Sequence, residues 1–103
     1  MATFTGTEGA LITLAVGKDL TGRFRGNFPT QPKGRFFGKD ILNTVLAQAG
    51  AKGIRFYFGQ DADGTLNLVM CGATSDTNDM LNKIADLSVP CPSVCSTPND
   101  LNS

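Results

Sequence analysis

The chain has 103 residues, 41% hydrophobic and 17% charged, with no histidine and no tryptophan. That length supports one core and one domain over residues 1–103, and that composition excludes wholesale disorder. Formal net charge is zero, yet residues 1–55 hold eight basic side chains against three acidic, and residues 56–103 hold one against six.

Residues 1–10 are small and polar and read as a loose or edge-strand lead-in. No basic stretch precedes the short apolar patch at Leu11–Val16 and no convincing cleavage site follows it, so the start does not read as a signal peptide. No apolar run approaches the roughly 20 residues a membrane helix needs, so a cytoplasmic protein with no membrane insertion is expected. From Leu11 to Phe28, Leu14, Leu20, Phe24 and Phe28 form a helical stripe, with Thr13 as the N-cap. Gly17 and Gly22 each cost this helix about 1 kcal/mol relative to alanine, so it needs tertiary support. Residues 29–34, with Pro29 and Pro32, read as a loop. A second helix spans Lys39 to Ala49, with Ile41, Leu42, Val45, Leu46 and Ala49 on one face and Gly50 where a left-handed cap belongs.

Ile54 to Gly72 is two strand-like runs around Asp61-Ala62-Asp63-Gly64, whose Asp-Gly supplies the positive φ of a tight hairpin. Strand alternation places Ile54, Phe56, Phe58, Leu66, Leu68 and Met70 on one face, expected to pack on Leu42, Val45 and Leu46. Ser75 to Leu87 offers Asp76 or Thr77 as a cap and Met80, Leu81, Ile84 and Leu87 as a stripe, which predicts a short third helix. Residues 88–103, with Pro90, Pro92 and Pro98, read as an irregular tail docked on its own domain or on another subunit. The expected fold is α+β: two helices on an antiparallel sheet centred on the 54–72 hairpin, a short third helix and the docked C-terminal tail.

The string KGRFFGKDILNTVLAQAGAKGIRFYFGQDADGTLNLVMCGATSDTNDM, followed by PCPSVCSTPNDLN, resembles a group of small uncharacterised bacterial proteins. Their pattern runs FFGK, LAQ, GIR, NDM and PCPxxC. The resemblance covers most of the chain from Lys33 onward. It departs at Ala51, where the pattern has a cysteine, and at Cys71-Gly72-Ala73, where it has Val-Gly-Val. It implies a recurrent bacterial domain and assigns no activity and no site residue.

Candidate chemistry narrows by elimination. Without histidine there is no Ser-His-Asp or Cys-His arrangement, the commonest general base is missing, and so are most zinc sites. Neither GxGxxG nor GxxxxGK[ST] is present. Asp61 and Asp63 sit in a turn, and the twelfth position from Asp61 is Gly72 where a calcium loop needs Glu, so the hairpin reading stands. With no catalytic constellation, the chain reads as not an enzyme and as needing no cofactor. Three readings of the cysteines remain open: idle thiols, a Cys91–Cys95 bridge stapling the tail, or a metal or cluster on Cys71, Cys91 and Cys95. Arginines and phenylalanines interleave near residues 23–25, 33–39 and 55–57, as in single-strand nucleic-acid binders, but a pI of 6.1 argues against such a partner.

The charge split can neutralise internally, as the two halves of one chain pack together, or it can orient one copy on another; the second reading is a self-association. Arg23, Arg25, Lys33 and Arg35 are expected to meet Asp76, Asp79 and Asp86 of another copy, with Val89, Val94 and Leu101 of the tail supplying apolar contact. The functional reading is a non-catalytic, self-associating structural or scaffold protein, a homo-oligomer forming an extended assembly such as a filament. A binding module for a nucleic acid or protein, and a cysteine-based redox or metal protein, are the alternatives.

Overall fold

A computed structural model describes residues 2–103. Along the chain it places α1 (Leu14–Asn27), β1 (Gly34–Phe36), α2 (Lys39–Leu46), β2 (Gly53–Gln60), β3 (Leu66–Ala73), β4 (Asp79–Ala85) and β5 (Val89–Cys91). Two helices and two antiparallel sheets make the fold α+β, the sheets being β1-β5 and β2-β3-β4. Length predicts one domain; within it the chain clusters into two compact units. A sheet unit holds the residues up to Gly9 and Phe37–Ser88, and a helix unit holds Ala10–Phe36 and Val89–Ser103.

In the helix unit, Thr13 caps α1 by accepting a hydrogen bond from the Val16 N–H at 3.2 Å. Phe24 and Phe28, one turn apart, stack at 5.1 Å and close the other end. The tail supplies the tertiary support that the glycines of α1 require. Residues 99–103 form a turn whose Leu101 side chain lies 3.1 Å from where a Cβ on Gly17 would stand. Gly17 is therefore the residue that lets the tail reach the helix. The Leu101 carbonyl accepts from Arg25 Nη1 at 2.6 Å, and the Asn102 carbonyl from Lys33 Nζ at 2.7 Å. β5 pairs with β1, setting Val89 opposite Phe36 and Cys91 opposite Gly34.

In the sheet unit, α2 begins at Lys39 as its sequence predicts and ends at Leu46 rather than Ala49. The Gln48 side chain donates to the Val45 carbonyl at 2.8 Å, and a turn from Gln48 to Ala51 with Gly50 at φ +90° takes the chain into β2. β2 and β3 pair with Phe56 opposite Met70 and Phe58 opposite Leu68, so the six expected apolar residues share a face. Only one end of that face is covered. Met70 (0% exposed), Val45 (1%) and Ala85 form the core, with Phe37, Leu42 and Ile54 packed against them. Leu66 and Leu68 are half-buried, Phe56 and Leu46 are exposed, and Phe58 is 92% exposed. An eight-residue helix is about 12 Å long whereas eight-residue strands run about 26 Å, so α2 covers the Met70 end and leaves the Phe58 end open.

The expected third helix over Ser75–Leu87 is replaced by a second hairpin and β4. Ala73 pairs with Asp79 and Gly72 with Met80, but the next pairs are Cys71 with Ile84 and Met70 with Ala85. Leu81, Asn82 and Lys83 bulge out between them. The bulge breaks the two-residue alternation and leaves apolar residues at spacings that imitate a helix.

The two hairpin turns are built alike. In residues 61–65 the Asp61 N–H donates to the Thr65 carbonyl at 2.8 Å and the Gly64 N–H to the Asp61 carbonyl at 2.9 Å; in residues 74–78 the Thr74 and Thr77 N–H groups donate to the Asn78 and Thr74 carbonyls at 2.9 and 3.0 Å. The fourth position is left-handed in both, Gly64 at φ +91° and Thr77 at φ +69°. A β-branched residue is strained there. Thr77→Gly is therefore expected to raise stability by about 1 kcal/mol, read as a higher urea midpoint at unchanged m. A lower midpoint would contradict this assignment. Among the described residues, no helix is long and apolar enough to cross a membrane.

Candidate functional site

The face of the sheet opposite Met70 carries a polar cluster that ties distant segments together. Alternation along β2 turns Arg55 and Tyr57 to this side, and the β3–β4 register brings Asp79 opposite Ala73. The Asp79 carboxylate accepts from Arg55 Nη1 on one oxygen and from the Tyr57 hydroxyl on the other. Arg55 Nη1 also donates to the Thr77 carbonyl at 3.1 Å, and the guanidinium lies 5.2 Å over the Phe4 ring. The Phe4 N–H in turn donates to the Ser75 carbonyl at 2.8 Å. One guanidinium thus ties together β2, β4, the 74–78 turn and the N-terminal segment. Phe4, Glu8, Lys52, Ile54 and Arg55 border an open cleft of about 310 Å³ beside it.

Protonation states follow from these contacts. The Tyr57 hydroxyl and then Arg55 hold the Asp79 carboxyl below the usual carboxylate range. The same carboxylate raises the Tyr57 phenol and the Arg55 guanidinium above their ordinary values. Burial, and next Asp79, push the Cys71 thiol up. The backbone N–H groups of Thr5 and Gly6 lower Glu8. A carboxylate held ionised by two donors is a poor proton acceptor, and a thiol held protonated is a poor nucleophile. The cluster acts chemically as a clasp.

The clasp makes stability depend on pH in two windows. A lowered Asp79 contributes stability that is present above the ordinary carboxylate value of about 4 and is lost as pH falls below it. A raised Tyr57 contributes stability that is present below about 10 and is lost as pH rises beyond it. Asp79→Asn is expected to flatten both limbs of a plot of denaturation midpoint against pH. An unchanged profile would show that the clasp contributes nothing.

The apolar spacing over Ser75–Leu87 predicts a helix there, and the charge split predicts an intersubunit surface for Asp79. It is instead the internal partner of Arg55 and Tyr57, because residues 79–85 are a strand that adds to the hairpin. Arg55 and Tyr57 at i and i+2 are the available signal: alternation puts a cation and a phenol on one face of β2, where an acid from a neighbouring strand can meet both.

Cys91 and Cys95 are joined by a disulfide, with Cα atoms 4.8 Å apart, and Cys71 is a buried free thiol in β3. The three-cysteine metal reading is thereby corrected: two of the sulfurs are bonded to each other and offer no thiolate. Among the described residues, no group of three or more His, Cys, Asp or Glu side chains is arranged to hold a metal ion.

The remaining residues singled out for self-association fall into two sets. Arg23 is exposed on α1, while Arg25 and Lys33 are occupied by tail carbonyls of their own chain. Lys33, Arg35, Val89, Val94 and Leu101 come together around a groove of about 340 Å³ beside the disulfide, all within the helix unit. Asp76, in the 74–78 turn, and Asp86, just after β4, are exposed in the sheet unit. By unit, five basic side chains stand against two acidic in the helix unit, and four against seven in the sheet unit. No family model, no curated protein and no solved structure matches this chain.

Proposed function

We propose that this protein is a non-catalytic, self-associating structural protein that builds an extended homo-oligomer. One observation carries the reading. Among its described residues the helix unit buries no large apolar side chain, while Leu11, Ile12, Leu14, Leu20, Phe36 and Val94 are each more than half exposed. Apolar surface of that density marks an interaction site. The charge balance supports a second copy as the partner: the basic groove at Lys33 and Arg35 suits the acidic surface at Asp76 and Asp86 of another copy. A contact between two different surfaces of one chain is heterologous and propagates as a ring or a filament.

The compartment enters the same reading. A cytoplasmic protein was expected, but a disulfide such as Cys91–Cys95 persists where cellular thiol systems do not reduce it, which favours an oxidising compartment.

The test is the native mass of the purified chain by light scattering, from low to high micromolar concentration and at low and physiological salt. Mass is expected to grow with concentration and to fall as salt screens the charge pairing. A monomer throughout would overturn the proposal and make a binding module for a different protein the better reading.

A further inference from the structure

β2 lies at one edge of its sheet and is fully paired with β3 on its inner side over eight residues without a bulge. Edge strands are normally guarded by a lysine, a proline, a bulge or a short length, because an open row of N–H and C=O groups recruits another strand. The opposite edge shows such guarding: β4 carries the three-residue bulge with Lys83 in it. β2 has none. Its sequence is GIRFYFGQ, and its one charged residue, Arg55, is neutralised by Asp79.

The direction of each backbone group follows from the turn. The Asp61 N–H bonds the Thr65 carbonyl, so odd-numbered residues of β2 point their backbone groups toward β3 and Ile54, Phe56, Phe58 and Gln60 point theirs outward. The side chains of Ile54, Phe56 and Phe58 lie on the same face, with Phe58 92% exposed and Phe56 43%.

We infer that β2 pairs antiparallel with β2 of a second copy, joining two three-stranded sheets into one of six strands. Outward groups come only from even-numbered residues, so even pairs with even. Ile54, Phe56 and Phe58 of the two copies then meet in one continuous apolar stripe. A register centred on Phe56, with Ile54 opposite Phe58, brings no like charges face to face, since Arg55 stands opposite Tyr57. The contact uses the same patch on both copies and closes after two, so growth beyond the dimer falls to the groove of the helix unit. This inference rests on the self-association reading and gives it one defined interface.

Amide hydrogen exchange on the whole chain, read together with native mass, tests it. In the assembled protein the amides of Ile54, Phe56, Phe58 and Gln60 are expected to exchange at least about tenfold more slowly than at a dilution where the protein is monomeric. Those of Arg55, Tyr57 and Gly59 should be protected at both concentrations. Phe58→Pro removes an outward N–H and no bond to β3, and is expected to abolish the concentration-dependent protection while keeping the hairpin. Phe58→Lys, which leaves the backbone untouched and supplies the missing edge charge, is expected to do the same. If the chain assembles while the even-numbered amides exchange freely, the β2 interface is wrong and self-association stands on another surface. If the wild-type chain stays monomeric at high micromolar concentration, both are overturned.

Discussion

Met70→Ala is expected to be the most damaging single truncation in the sheet unit, costing about 2–5 kcal/mol. Met70 has no exposed surface, sits opposite Ala85 and Phe56 in its two strand pairings, and packs in the core with Val45. Removing its side chain leaves a cavity that the paired backbones on either side cannot collapse to fill. Leu68→Ala, on the same face but half-buried, should cost about 1 kcal/mol. Phe58→Ala, measured on dilute protein, should stay within about 0.5 kcal/mol. Chemical denaturation orders the three. A Leu68 loss as large as that of Met70 would mean that α2 covers the whole hairpin face.

Shortening the chain to residues 1–87 should remove most of its helix. The deletion takes away β5, the disulfide, the Leu101 contact at Gly17 and the carbonyls bound by Arg25 and Lys33. What remains is a fourteen-residue α1 containing Gly17, Gly22 and Gly26, below the length at which helices hold in water without tertiary contacts. Since α2 has eight residues, roughly two thirds of the far-ultraviolet helical signal should disappear. The core at Met70 and Val45 lies outside the deleted segment and should still unfold cooperatively. Retention of the full helical signal would show that the tail does not support α1.

The features legible in the sequence are those fixed by neighbours along the chain. Thr13 reads as a cap because its hydroxyl reaches a donor three residues on. Gly64 reads as the left-handed turn residue because only glycine adopts that φ freely. The strand face from Ile54 to Met70 follows from alternation alone. What stayed hidden depends on distant partners. β4 was masked by its bulge, which gave Met80, Leu81 and Ile84 a helical spacing. The open end of the hairpin face depends on where α2 stops, and that is set by a Gln48 side chain meeting a carbonyl. The clasp at Asp79 and the three-residue pairing of β1 with β5 join residues that no local pattern connects.

The claim that uncovered apolar side chains are met by another copy is read most directly by radical footprinting at low and high micromolar concentration. Leu11, Leu20, Phe36 and Val94 of the helix unit and Phe58 of β2 are the reporters, each more than half exposed in the single chain. Their modification rates are expected to fall together as concentration rises, while Leu81, exposed in the β4 bulge and outside both proposed interfaces, keeps its rate. Rates that stay the same for all six residues across the concentration range would contradict self-association.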